Sequence, residues 1–155
     1  MKLFAALVLL ALTEGASAAD IVVIGKLLKN EPMSYIADDC PADSICLKSW
    51  WISTIRVNRT IQGKLPSHRL VVAGLQHSDL KRGYKKAVRL FVLREIEDPK
   101  ERIRLRASYY LIEMARSERM FCLSKDPSEF GLNVGETLSS SDEARNRQYC
   151  FELPE

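Results

Sequence analysis

The sequence predicts a mainly β fold, a small antiparallel barrel or sandwich with one short helix, on three observations. Five or six short runs of β-branched, aromatic and aliphatic residues recur between Asp20 and Leu153, and several alternate apolar with polar side chains. Clusters of Gly, Pro, Asn, Asp and Ser separate them. A helix-start signal stands out at Asp98-Pro99-Lys100-Glu101, a capping residue followed by Pro at the first helical position and an acid three residues after the cap. The chain has 155 residues, 46% hydrophobic and 28% charged, which excludes disordered, collagen-like and multi-span membrane classes.

The first eighteen residues read as a secretory signal. Lys2 supplies the positive start, Leu3 to Leu12 an apolar run, and Ala16-Ser17-Ala18 a small-residue cleavage site. The apolar run is well short of the roughly 20 residues that span a bilayer, and no later stretch spans one. Cleavage after Ala18 leaves residues 19–155, the size of a single domain, with an acidic tail from about residue 126. The expected location is periplasmic or secreted, with a lean towards a bacterial envelope.

Asp20 to Leu28 reads as an opening strand with a bend or bulge at its Gly. Asn30 to Cys46 is polar, carries two prolines and reads as an excursion from the sheet. Leu47 to Ile61 suits a long half-buried strand, Gln62 to Ser67 a turn, and His68 to Leu75 a third strand. Asp79 to Lys86 is a basic loop. Ala87 to Ile96 presents apolar residues on both faces, as a central strand covered on two sides does. Helix capping at Asp98 conflicts with the strand-like alternation of Arg102 to Arg106, and the conflict stays open. Ser108 to Met114 and Arg119 to Ser124 are further strands, and Tyr149 to Leu153 reads as an edge strand.

Two of these segments carry a family likeness. Ala19-Asp20-Ile21-Val22-Val23-Ile24-Gly25-Lys26, followed by Ile55-Arg56-Val57-Asn58-Arg59-Thr60-Ile61-Gln62-Gly63, resembles the pattern of netrin-like modules, the OB-fold barrels that include tissue inhibitors of metalloproteinases. The resemblance covers the first half of the mature chain and implies an OB-like barrel. Inhibitors of that family begin with a Cys whose amine and carbonyl chelate the protease zinc. Here the expected start is Ala19-Asp20, so no inhibitory residue is carried over.

Cys40, Cys46, Cys122 and Cys150 are an even set in an exported chain, read most simply as two disulfides. Of the three pairings, Cys40 with Cys46 is preferred because the turn formers between them close a short loop, leaving Cys122 with Cys150. Neither spacing is that of a redox motif or a zinc knuckle.

Catalytic inventory is thin. The chain has two histidines, His68 and His77, and no metalloprotease, nucleophile-elbow, P-loop or dinucleotide motif. No catalytic residue, metal or cofactor is assigned, and the reading leans away from an enzyme. The competing reading is a small metal-dependent or carboxylate-based hydrolase, with a metal site assembled from His68, His77 and one of Asp20, Asp43 or Asp79. Asp38, Asp39 and Asp43 surround Cys40 without the spacing of a calcium loop and read as a solvated turn. Asn58-Arg59-Thr60 is a formal N-glycosylation sequon, relevant in a eukaryotic secretory pathway.

Binding residues are clearer. Adjacent Trp50 and Trp51 face opposite sides of a strand, so one is expected at the surface, where it offers a stacking platform. Residues 19–125 hold 20 basic and 12 acidic side chains, whereas residues 126–155 hold two basic and seven acidic ones. The densest basic stretch is Lys81, Arg82, Lys85, Lys86 and Arg89, with Arg102, Arg104 and Arg106 second. The expected function is a non-enzymatic binding module for a protein or an anionic envelope polymer, with an inhibitor or immunity-like blocker of a secreted enzyme as a special case. A structural envelope adaptor is a further alternative. Nucleic acid is disfavoured by export, and the sequence leaves the oligomeric state open.

Overall fold

The computed structural model describes residues 20–36, 49–76, 87–116, 120–135, 138–140 and 148–153. Five strands close a barrel: β1 (Ile21–Ile36), β2 (Ser49–Gln62), β3 (Arg69–Gln76), β4 (Val88–Glu95) and β5 (Tyr109–Arg116), in the order β1-β2-β3-β5-β4. One helix, α1 (Pro99–Leu105), joins β4 to β5, and β6 (Phe121–Leu123), β7 (Leu138–Ser140) and β8 (Gln148–Phe151) make a separate small sheet. The mainly β barrel with one short helix is the class that alternation and turn residues indicate.

Alternation decides which side chains enter the barrel. Val23 and Leu27 of β1, Ile55 and Val57 of β2, Leu70 and Val72 of β3, Phe91 and Leu93 of β4 and Tyr109 of β5 form one buried cluster. The intervening Val22, Leu90 and Val92 point the other way and pack with Phe121, Leu123, Phe130, Leu132 and Phe151. Strands β1 and β4 are therefore covered on both faces, which explains why Val88 to Leu93 reads as central. A third cluster joins Ala73 to Ile96, Leu105 and Ala107 beside α1.

Three features differ from the sequence expectation, and one conflict that the sequence leaves open is resolved. The barrel is not wholly antiparallel, because β5 returns beside β3 in parallel register, Val72 against Tyr109 and Ala73 against Tyr110. Residues 30–36 belong to β1 rather than to an excursion. Pro32 is tolerated there because β4 pairs only as far as Lys26, so among the described residues this half of β1 has β2 as its one strand neighbour. The alternating Arg102 to Arg106 is not a strand: Asp98 Oδ1 accepts from the Lys100 amide at 2.9 Å, Pro99 opens the helix, and Arg106 closes it in the left-handed region at φ 50. Finally, β8 is not an edge strand but the centre of the small sheet, between β6 and β7.

Cys122 on β6 lies directly opposite Cys150 on β8, and the two are bonded as the preferred pairing requires. One disulfide is thus present among the described residues, not two; Cys40 and Cys46 lie outside them. Asp126 caps a 3-10 turn at Pro127–Phe130, and the carbonyl of Phe130 accepts from Gln62 Nε2 at 2.8 Å. The same Gln62 amide donates to the Asp20 carbonyl at 2.8 Å, so one side chain ties the start of β1 to the acidic tail.

Gly25 sits at a register shift in β1, where an added Cβ would come within 2.4 Å of the Arg56 carbonyl oxygen. Gly25→Ala is expected to lower unfolding free energy by about 2 kcal/mol in urea titration. Gly135→Ala, with nothing within 4 Å of the new methyl, should leave the midpoint unchanged. Replacing Cys150 by Ser, which opens a cross-link spanning 28 residues, should cost about 3 kcal/mol by the same titration.

Candidate functional site

The two tryptophans separate as strand geometry demands. Trp51 points into the barrel end, 7% exposed, and its indole donates to Ser49 Oγ at 2.9 Å. It lies opposite Pro32 of β1 and Gly74 of β3. Beside it Ser53 Oγ donates to Asn30 Oδ1 at 2.6 Å, and Asn30 Nδ2 donates to Gln76 Oε1 at 3.3 Å. This polar bridge links β1, β2 and β3 and satisfies groups that would otherwise be buried without partners.

Trp50 faces outward and is half-buried. It stands directly across from Leu75, which is 41% exposed, and its ring lies 6.0 Å from that of Tyr110, tilted by 37°. Ile52 and Met33 pack into the same cluster. Below Tyr110, Glu101 on α1 is engaged by Arg104, whose Nε donates at 2.5 Å. Hydrogen bonding from Arg104 is the main cause that holds the Glu101 carboxyl below its ordinary 4.5, with a smaller contribution from the Tyr110 hydroxyl. Burial, and then the charge of Glu101, push the Tyr110 phenol up. The aromatic pair is thereby seated on a helix whose first-turn acid and last-turn cation also favour the helix dipole.

The basic residues fall out differently. Lys81, Arg82, Lys85 and Lys86 lie outside the described residues. Arg89 belongs to β4 rather than to a contact loop and is 1% exposed, because it shares the inward parity of Phe91 and Leu93. As placed it has no surface to offer a partner. Arg102 bonds Glu95 at 2.7 Å and also donates to the Ile96 carbonyl, while Arg104 is held by Glu101, so the second basic stretch is largely neutralised. His68 is exposed in the β2–β3 connection, and His77 lies outside the described residues. Among the described residues no group of three or more His, Cys, Asp or Glu is gathered to hold a metal ion. None of their helices is long and apolar enough to cross a membrane.

A different set of cations emerges. Lys26 of β1 pairs in register with Arg56 of β2, and Arg56 pairs with Arg69 of β3. Reading for local charge density misses this row, since its members are distant along the chain. The signal that finds it is a lack: residues 44–78 contain no Asp or Glu.

Comparison with known proteins finds no matching family model, no matching curated protein and no matching solved structure.

The Glu101–Arg104 pair gives a pH test. A carboxyl held low in the folded state stabilises fully above its unfolded value and loses that contribution as pH falls through the folded one. Wild type should therefore lose about 0.5 kcal/mol more than Glu101→Gln between pH 6 and acid, read as a difference in melting temperature against pH.

Proposed function

We propose that this chain is an exported, non-enzymatic binding module built on an OB-like barrel, which contacts a protein or an envelope polymer through the outer face of β2 and β3. The observation that carries the reading is Trp50. Its ring is half-exposed, faces away from the barrel interior, and adjoins exposed Leu75 and the ring of Tyr110. An aromatic group fixed by its neighbours loses little entropy on contact, and aromatic residues are enriched where interfaces concentrate their energy. Support for the OB-type barrel comes from the five-strand closure through two non-sequential seams, β3 with β5 and β1 with β4, beside the netrin-like pattern of the sequence. Export rests on the signal-like first eighteen residues, and the Cys122–Cys150 bond fits an oxidising compartment. An inhibitor or blocker of a secreted enzyme remains the special case in which the partner is a protein.

The test is capture from the envelope or secreted fraction by the purified, oxidised chain from residue 19 onward, with wild type, Trp50→Ala and Trp51→Phe compared. Trp50→Ala should lose the captured species by at least tenfold in affinity while keeping a cooperative thermal transition, in line with the truncation of an interface aromatic. Trp51→Phe should retain it, since that ring is internal. Full capture by the Trp50 variant would overturn the assignment of this face.

A further inference from the structure

The 35 residues from 44 to 78 hold Lys48, Arg56, Arg59, Lys64 and Arg69 without a single carboxylate, and they include the whole of β2 and β3. Within them the sheet register aligns charges that the sequence disperses. Lys26, Arg56 and Arg69 lie abreast on three consecutive strands. Their neighbours Leu27, Ile55, Val57 and Leu70 all point into the barrel, so the three cations share its outer face. Arg56 and Arg69 are exposed and Lys26 is half-exposed.

Like charges placed directly opposite one another repel. Five cations elsewhere are matched: Lys29 with Glu31, Arg94 with Asp20, Arg102 with Glu95, Arg104 with Glu101 and Lys125 with Glu129. Among the described residues no carboxylate bridges Lys26, Arg56 or Arg69. Among the described residues the row is a line of unbridged positive charge at strand spacing, about 4.8 Å per step.

We propose that this row binds a linear anionic polysaccharide, a sulfated or uronate chain laid across β1, β2 and β3. The inference rests on the binding-module reading and names the polymer partner of that module. Three collinear cations on an outward sheet match repeating charge along an extended chain. The row contains no aromatic side chain, and the next outward pair in register is Thr54 with Val71, so the base-stacking platform of a single-stranded nucleic-acid site is missing from it. The apolar side chains nearest the row, Val71 and Leu28, are aliphatic, and the aromatic anchor, Trp50, is six residues along β2 from Arg56, about 20 Å away in an extended strand. The polymer site and the aromatic site are therefore separate zones of one hairpin.

The experiment is salt-gradient elution of the oxidised chain from immobilised heparin, a sulfated polysaccharide, with wild type, Arg56→Gln/Arg69→Gln, Lys26→Gln and an equal-charge control, Arg102→Gln/Arg104→Gln. Thermal melts establish that each is folded. Wild type should be retained at physiological salt, and the Arg56/Arg69 double variant should bind about tenfold more weakly with a shallower salt dependence. Lys26→Gln should show a smaller loss. Elution of the double variant with wild type, or a loss no greater than the helix control, overturns the proposal. So does single-stranded DNA competing as well as the polysaccharide, which would make the row a nucleic-acid site. An unretained wild type that still shows Trp50-dependent capture defeats the polysaccharide and leaves the binding-module reading standing, whereas absence of both defeats both.

Discussion

The bend of β1 is the constraint on which the rest of this structure depends. A single sixteen-residue strand pairs with β2 along most of its length and with β4 over Ile21 to Lys26, and register shifts let it turn the corner between them. Gly25 lies at one of those shifts, where the backbone of β1 runs so close to the Arg56 carbonyl that no side chain fits. Closure has two consequences. The first half of β1 is buried on both sides, Val23 inside the barrel and Val22 beneath the small sheet. The second half, freed from β4, carries Asn30 into the polar bridge and Met33 towards Trp50.

What covers the barrel then determines what stays open. The small sheet and the 3-10 turn occupy the outer side of β1 and β4, fastened by the Cys122–Cys150 bond and by Gln62 donating to both Asp20 and Phe130. Glu113 of β5 adds a link by accepting from the Ser124 amide. Asp20, with its side chain 5% exposed, is met by Arg94 through two hydrogen bonds of 2.8 and 3.0 Å, which compensates the desolvation of its carboxylate. Leu105 of helix α1 shares a cluster with Ala73, Ile52 and Trp50, so the helix covers part of the outer side of β2 and β3. The rest of that side is left with exposed Arg56, Arg69, Val71 and Leu75.

How much of this was legible in the sequence follows from the range of the forces involved. Period-two alternation and turn residues act locally, so β2, β3, β4 and β5 are readable to within a few residues, and the capping of α1 at Asp98 overrides the alternation that follows it. Pairing partners are not local. The extension of β1 through Pro32 depends on which neighbour it lacks, the central place of β8 on a strand as plain as Leu138-Ser139-Ser140, and the parallel β3–β5 seam on a crossover. The candidate site divides in the same way. That Trp50 and Trp51 must part company is strand geometry, readable in advance, while the choice of Trp50 as the outward one needs the barrel. Arg89 adjoins a basic run along the chain yet is buried, since proximity in sequence is no guide to parity within a strand.

The same distinction explains why charge density along the chain and charge density on the surface disagree here. Arg102 and Arg104 are clustered in sequence, yet a helix brings Glu101 within reach of one and the end of β4 brings Glu95 to the other. Lys26, Arg56 and Arg69 are scattered in sequence, yet antiparallel register sets them side by side where the two strands that follow β1 supply no acid. A sheet thus concentrates charge perpendicular to the chain, and the repulsion between neighbouring guanidinium groups is relieved only by counterions or by a polyanion that displaces them. Among the described residues no carboxylate is bridged to the row, so the charge that the sheet register gathers there stays at the surface.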